Sequence, residues 1–353
     1  MRQLLTIQQP ELQAHDWPPV PPFTKFSPAF NTFLFSERSD QEYQLAQLKT
    51  KNWAEAGEFL NDGLSQIYAY VYGYADSPCY LATNIDLEIA LGRAKILLDD
   101  YFINHWLPTE AIPSFTTTEE AYEYLTWYVE SNIGVGHDLY VYLRDKISSA
   151  SMREFLRMEV CRNEIVDDEV SLLVCGMQGN VKRMTAANLW DECGNGDLTG
   201  FHTYWLRLLL EKTDDWNDLI TYRMKEKPWF SSITSNIFNV LLTRPGYKYR
   251  AYGCFTTTEA WVEPHFEKLM QGLKRVELAH PDIEIYFSAH RTIDPFHTQE
   301  LLDGIHDQIP ALTLAEMREI ISGAHAAVAA GVSQYQEILD WLYQKDQLSG
   351  TLA

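Results

Sequence analysis

The segment Tyr286-Phe-Ser-Ala-His290-Arg-Thr-Ile-Asp294-Pro-Phe-His297 concentrates the chain's metal-binding chemistry. His290, Asp294 and His297 stand at i, i+4 and i+7. At about 100° per residue they fall within roughly 60° of one another on one helical stripe. Two imidazoles and a carboxylate converging in this way suit iron, zinc or manganese. A solvated polar face carrying two histidines has the same spacing, so the triplet alone leaves both readings open. Pro295 follows Asp294 directly. A proline inside a helix removes an amide donor and clashes with the carbonyl four residues back, at ~3 kcal/mol. The stripe is therefore expected on a helix kinked or partly unwound between Asp294 and His297, a segment that orders when metal binds and is disordered or displaced around 288–300 without it.

Two more segments carry candidates. Asn188-Leu-Trp-Asp191-Glu192-Cys-Gly194-Asn-Gly196 ends a predicted helix in a glycine-rich turn, and His202 opens the next one. A straight helix would set Glu192 and His202 about 80° apart, so the turn must help bring them together. Taken singly, they read as an acidic helix end and a core histidine. Glu259 falls in the first turn of a helix predicted from Thr256, where interaction with the helix dipole is its ordinary role. Gly194-Asn-Gly196 is a turn rather than a phosphate loop, because no strand precedes it and no lysine follows. His265, His280, His306 and His325 show no partner pattern and read as surface or satisfied core residues. Tyr204, Trp205, Tyr286 and Phe287 are candidate cavity walls, and Arg183, Arg207 and Arg291 are candidate basic groups for a substrate carboxylate.

The elements that must position these residues are helices. From about Ser39 onward helical periodicity runs almost unbroken, with predicted helices over 40–73, 86–104, 117–148, 152–177, 180–192, 198–212, 230–243, 256–273, 281–294, 297–309 and 313–345. Thr116-Thr-Thr-Glu-Glu, Thr256-Thr-Thr-Glu and Thr313-Leu-Ala-Glu316 look like helix starts, the last a capping box. Alternating apolar and polar runs are scarce. The fold class is all-α. Residues 1–40, with Trp17-Pro-Pro-Val-Pro-Pro-Phe, are expected to form a proline-rich extended arm. Residues 41–148 read as an N-terminal helical extension and 149–353 as a helical core domain.

The chain has 353 residues, with 49 acidic against 28 basic side chains and a formal charge of −21. That deficit of lysine and arginine argues against nucleic acid, and no apolar run nears the ~20 residues of a membrane span. No signal-peptide pattern opens the chain. The five cysteines (Cys79, Cys161, Cys175, Cys193, Cys254) form no CxxC pair, which fits reduced thiols in a cytoplasmic protein.

Taken together and in order, the segments resemble the heme-oxygenase-like diiron oxidases and oxygenases, the iron-containing redox enzymes, over about Phe155 to Tyr343. The resemblance rests on the Asn-x-x-Asp-Glu-x-Gly-x-Gly element at 188–196 with His202, on Thr258-Glu259 with Pro264, and on Tyr286-Phe with the His-x3-Asp-x2-His triplet. Ile321-Ser-Gly-Ala-His is similar to the family's closing helix. The resemblance implies a heme-oxygenase-like helical bundle with an N-terminal extension, and two iron ions held by Glu192, His202, Glu259, His290, Asp294 and His297. Glu159 is the first candidate for one more ligand, with Glu164 and Asp167 behind it. The implied activity is dioxygen activation for N-oxygenation, oxidative C–C cleavage or desaturation of a small amine- or carboxylate-bearing substrate. An external electron donor and a second copy of the chain are candidate partners. The alternatives are a cofactorless thiaminase-like hydrolase using Cys193 or Cys254, and a helical interaction protein.

Overall fold

Seven consecutive residues, Ala251 to Thr257, are all buried on one helix. Only a helix enclosed on every side can do this, since an amphipathic surface helix buries a single stripe. That helix, Lys248–Arg275, is the axis of the fold. The computed structural model describes residues 26–73 and 84–350, so the proline-dense 17–23 stretch and Cys79 lie outside the described residues.

The chain order begins with α1 (Pro28–Leu34), α2 (Arg38–Leu48), α3 (Trp53–Val71), α4 (Ile85–Tyr101), α5 (Thr118–Ser131) and α6 (Asp138–Asp145). It continues with α7 (Ser149–Asn163), α8 (Val166–Val174), α9 (Gly179–Glu192), α10 (His202–Lys212) and a single turn, α11 (Leu219–Thr221). It closes with α12 (Ile233–Leu242), the axial α13, α14 (Pro281–His306) and α15 (Leu314–Leu348). The protein is all-α: among the described residues there is no strand, only an isolated bridge between Cys193 and Phe201. Helices α14 and α15 pack most extensively on α13, with α6, α12 and α5 completing its surroundings. No described helix is long and apolar enough to cross a membrane.

Several boundaries depart from the sequence expectations. The helix predicted from Thr256 begins eight residues earlier, at Lys248. Thr256 and Thr257 are not caps; their hydroxyls donate to the carbonyls of Tyr252 at 2.9 Å and Gly253 at 2.8 Å. Bonding back to the i−4 carbonyl lets a threonine sit inside a buried helix. Glu259 is therefore a mid-helix residue, and the helix-dipole reading fails. Pro295 does not break its helix either: α14 runs from Pro281 to His306, held by buried Tyr286 and Phe287 before the proline and Leu301 and Leu302 after it. Upstream, the predicted 40–73 helix divides where Asn52 caps α3, accepting from the Glu55 amide at 2.8 Å. Pro28–Leu34, inside the stretch expected to be extended, is helical. The Thr313 capping box forms as read.

Residues before 149 are tied into the helices that follow. Trp261 Nε1 donates to Asn132 Oδ1 at 3.0 Å, His265 Nε2 lies 2.9 Å from the Gly134 carbonyl, and Tyr142 donates to Asp346 at 2.6 Å. Arg275 donates to the carbonyls of Arg144 at 2.8 Å and Ile147 at 2.6 Å. Removing residues 1–148 would expose the apolar faces of α13 and α15 and orphan these groups. A chain starting at residue 149 is expected to be insoluble, or to melt at least ~10 °C below the full chain. A monomeric truncation as heat-stable as the full chain would show that these contacts contribute nothing.

Candidate metal centre

Glu192 is the last residue of α9 and His202 the first of α10. Between them Gly194, Asn195 and Gly196 all take positive φ, at 55°, 54° and 86°. A side chain at Gly194 would also place its Cβ 2.3 Å from the Gly200 carbonyl carbon. Two short 3-10 turns and the Cys193–Phe201 bridge then close the loop on itself. The result sets His202 Nδ1 2.6 Å from Glu192 Oε2. The glycine-rich turn thus performs the convergence that a straight helix would not.

Helix α14 supplies His290, Asp294 and His297, all buried, and α13 presents Glu259 from its middle. The six side chains gather into two groups, Glu192 with His202 and His290, and Glu259 with Asp294 and His297. Within each group one nitrogen or oxygen per residue lies within 4.8 Å of the others. His297 Nδ1 is 3.4 Å from Glu259 Oε2 and 3.5 Å from Asp294 Oδ1. All six residues named from the sequence are therefore brought together.

The polar atoms at the centre test whether a metal fits. His202 Nδ1, Glu259 Oε2, Asp294 Oδ1 and His297 Nδ1 are buried and make no hydrogen bond. Native interiors rarely leave such groups unsatisfied. Close approach without hydrogen-bond alignment is what lone pairs aimed at a shared cation produce. The outward nitrogens, by contrast, are engaged. His290 Nδ1 lies 2.7 Å from the Tyr286 carbonyl, and His297 Nε2 lies 3.1 Å from Asp191 Oδ2. Asp191 is itself held by Asn195 at 3.0 Å. Such outer partners fix the ring orientation and the tautomer of a metal-binding histidine.

Electrostatics point the same way. Burial pushes the carboxyls of Glu192, Glu259 and Asp294 above their usual range. Burial, with neighbouring imidazoles, holds His202 down to about 4 and His290 down to about 3. At His297 burial works against the charge, but the carboxylates of Asp294 and Glu259 prevail and raise it to about 11. Three buried carboxylates beside two imidazoles that resist protonation make a site short of positive charge. A bound cation relieves both the repulsion and the desolvation. Three histidines and three carboxylates suit an ion of borderline hardness such as iron.

Glu159 does not join either group; it lines the adjoining cavity, on whose wall Glu192, Glu259, His290 and Asp294 also appear. Glu164 is paired with Arg223 at 2.5 Å. Asp167 lies outside both groups, its carboxyl raised to about 6 by burial and by Asp168. None of the three suggested arginines lines the cavity: Arg207 pairs with Glu211, Arg291 with Glu267, and Arg183 is exposed. The cavity arginine is Arg162, which carried no sequence signal beyond lying three residues from Glu159. Tyr286 does line the cavity. His265 is a satisfied core residue, stacked on Tyr140 at 3.6 Å, and His325 is buried against Tyr128 at 4.3 Å with its Nε2 2.9 Å from the Tyr124 hydroxyl.

Comparison with known proteins agrees with the geometry. Two crystal structures of a CADD-like protein of unknown function from Nostoc punctiforme PCC 73102, at 2.00 and 1.35 Å, share the fold with a TM-score of 0.51. They are 16 % and 14 % identical to this chain, covering 64 % and 65 % of it and 97 % of the Nostoc chain. No curated protein matches the sequence significantly. The model of the iron-containing redox enzyme family matches residues 153–332, from α7 into α15, a span that contains every residue of the two groups. The chain belongs to the iron-containing redox enzyme family.

Proposed function

We propose that the protein is a non-heme diiron oxidase or oxygenase, with one iron held by Glu192, His202 and His290 and the other by Glu259, Asp294 and His297. The observation that carries this reading is the gathering of six buried side chains from α9, α10, α13 and α14 into two three-residue groups, four of whose ligand atoms make no hydrogen bond. Iron bound there would supply the electron-transfer chemistry that reduces dioxygen and oxidises an amine or an unactivated carbon. N-oxygenation, oxidative C–C cleavage and desaturation all fall within that range, with an external donor providing further electrons.

The chain's own part is positioning and exclusion of water. The Tyr286 carbonyl accepts a hydrogen bond from His290 Nδ1–H and so leaves Nε2 free to bind metal. Asp191 does the same for His297 from the opposite nitrogen, freeing Nδ1. Phe255, Trp261, Phe266 and Tyr286 wall the cavity beside Glu259 and Asp294. An oxidant formed there would meet substrate before bulk water.

The hydrolase alternative finds little support. A cysteine nucleophile needs a depressed pKa, whereas burial pushes the Cys254 thiol up to about 12. Burial and nearby carboxylates also raise Cys193.

Anaerobic titration with Fe(II), followed by exposure to dioxygen, tests the proposal. About two irons per chain are expected, with oxygen uptake and an absorption change that depend on the iron. A chain that binds no iron, or takes up no oxygen when loaded, would overturn it.

A further inference from the structure

The cavity beside the metal groups holds one carboxyl, that of Glu159, that makes no ion pair among the described residues. Glu159 and Arg162 sit one turn apart on α7, and both line that cavity. They form no direct ion pair, although the charge of Arg162 favours the Glu159 carboxylate from a distance. Arg162 Nη1 instead donates to Glu169 Oε2 at 2.9 Å, and Glu169 is fully buried. Glu192, Glu259 and Asp294 belong to the two donor groups, where a metal would balance them. Glu159 is left with a neutral partner, the Asn163 amide at 3.3 Å. Among the described residues no ion pair engages it.

Its other neighbours are aromatic. Tyr140, Tyr286 and Tyr335 line the same cavity as Glu159, and its charge opposes ionisation of all three phenols. Tyr335 meets Tyr140 edge to face at 5.3 Å and Trp261 at 5.9 Å. A buried carboxylate in an aromatic-lined cavity is an arrangement that recognises an organic cation: the charge supplies attraction, and the rings can supply cation–π contact and displace water. A carboxylate buried without such a cation is costly, and burial already pushes Glu159 up to about 7.

We propose that Glu159 is the specificity-determining residue of the cavity and that it holds a primary ammonium group of the substrate. The substrate class is then an aliphatic amine, its nitrogen at Glu159 and the rest of its chain extending along the wall toward Glu259 and Asp294. The inference rests on the diiron reading for the oxidation that follows, but the binding step needs only the cavity.

Isothermal titration calorimetry on the full chain tests it. Zinc is loaded in place of iron, and n-butylammonium is compared with the near-isosteric 1-butanol and with butanoate. Butylammonium is expected to bind at least about tenfold more tightly than either. Glu159→Gln should abolish that preference while zinc content stays at the unmutated level. Glu159→Asp, which keeps the charge but withdraws it, should weaken butylammonium binding and keep the order of preference. An unchanged preference in E159Q, or butanoate binding best, would overturn the proposal. So would loss of metal in E159Q, which would make Glu159 a ligand. If the unmutated chain takes up no metal, the diiron reading fails. The Glu159-dependent preference can then still be measured on the metal-free protein.

Discussion

Alanine at Glu259 or at His297 is expected to lower bound iron from about two per chain to one or fewer, with helical content nearly unchanged. Both residues are buried in the same donor group. Each removal takes one of three donors from that site; without His297 the Glu259 and Asp294 carboxylates are left facing each other, and without Glu259 only Asp294 and His297 remain. The fold survives because the residues occupy the middle of α13 and α14, whose apolar contacts are untouched. Asp191→Ala should act more weakly, reducing iron affinity by roughly 10- to 100-fold. Asp191 only orients His297, through the 3.1 Å contact to Nε2. Iron counted by a chromogenic chelator, beside far-UV circular dichroism, checks all three variants. Two tightly held irons in both alanine variants would show that these side chains are not ligands.

Gly253→Ala and Gly323→Ala are expected to be among the most destabilising single substitutions in the chain. A Cβ at Gly253, on α13, would stand 1.8 Å from the Ile320 carbonyl oxygen. A Cβ at Gly323, on α15, would stand 1.8 Å from that of Arg250. The obstacle in each case is backbone, so no side-chain rotation relieves it and the two helices must separate. Overpacking of this kind costs ~1–3 kcal/mol and sometimes more. We expect a melting midpoint lower by ~2–5 °C, together with weaker iron binding, since Glu259 rides on α13 six residues beyond the crossing. Gly92→Ala is the control: Gly92 is exposed on α4 with nothing within 4 Å of an added Cβ. That change should be neutral or stabilise by about 0.5–1 kcal/mol. A G253A protein that melts like the unmutated chain would mean that the α13–α15 crossing is looser than described.

What the sequence determined by itself was local in origin. The helical repeat comes from hydrogen bonds four residues apart, so the i, i+4, i+7 spacing of His290, Asp294 and His297 was enough to set them on one stripe. The Thr313–Glu316 box likewise involves groups three residues apart. The all-α class followed from periodicity, and six residues for the two donor groups followed from their types, their order and the family resemblance. Contacts distant in sequence decided the rest. Thr256 looked like a helix start because its own neighbours offer a cap, yet α13 begins at Lys248. Burial of Ala251 to Phe255 by surrounding helices outweighs that local signal. Pro295 looked like a break because a proline's cost is local, while the buried residues on either side that keep α14 continuous owe their burial to other helices. Spacing showed only that the turn after Glu192 had to bring it toward His202; the left-handed backbone and the 2.6 Å approach came from the packed structure. Nor could spacing have shown that Arg162 pairs with Glu169, which leaves Glu159 without an ion pair in an aromatic-lined cavity. Charge pairing and burial depend on which surfaces meet, and only the packed helices settle that.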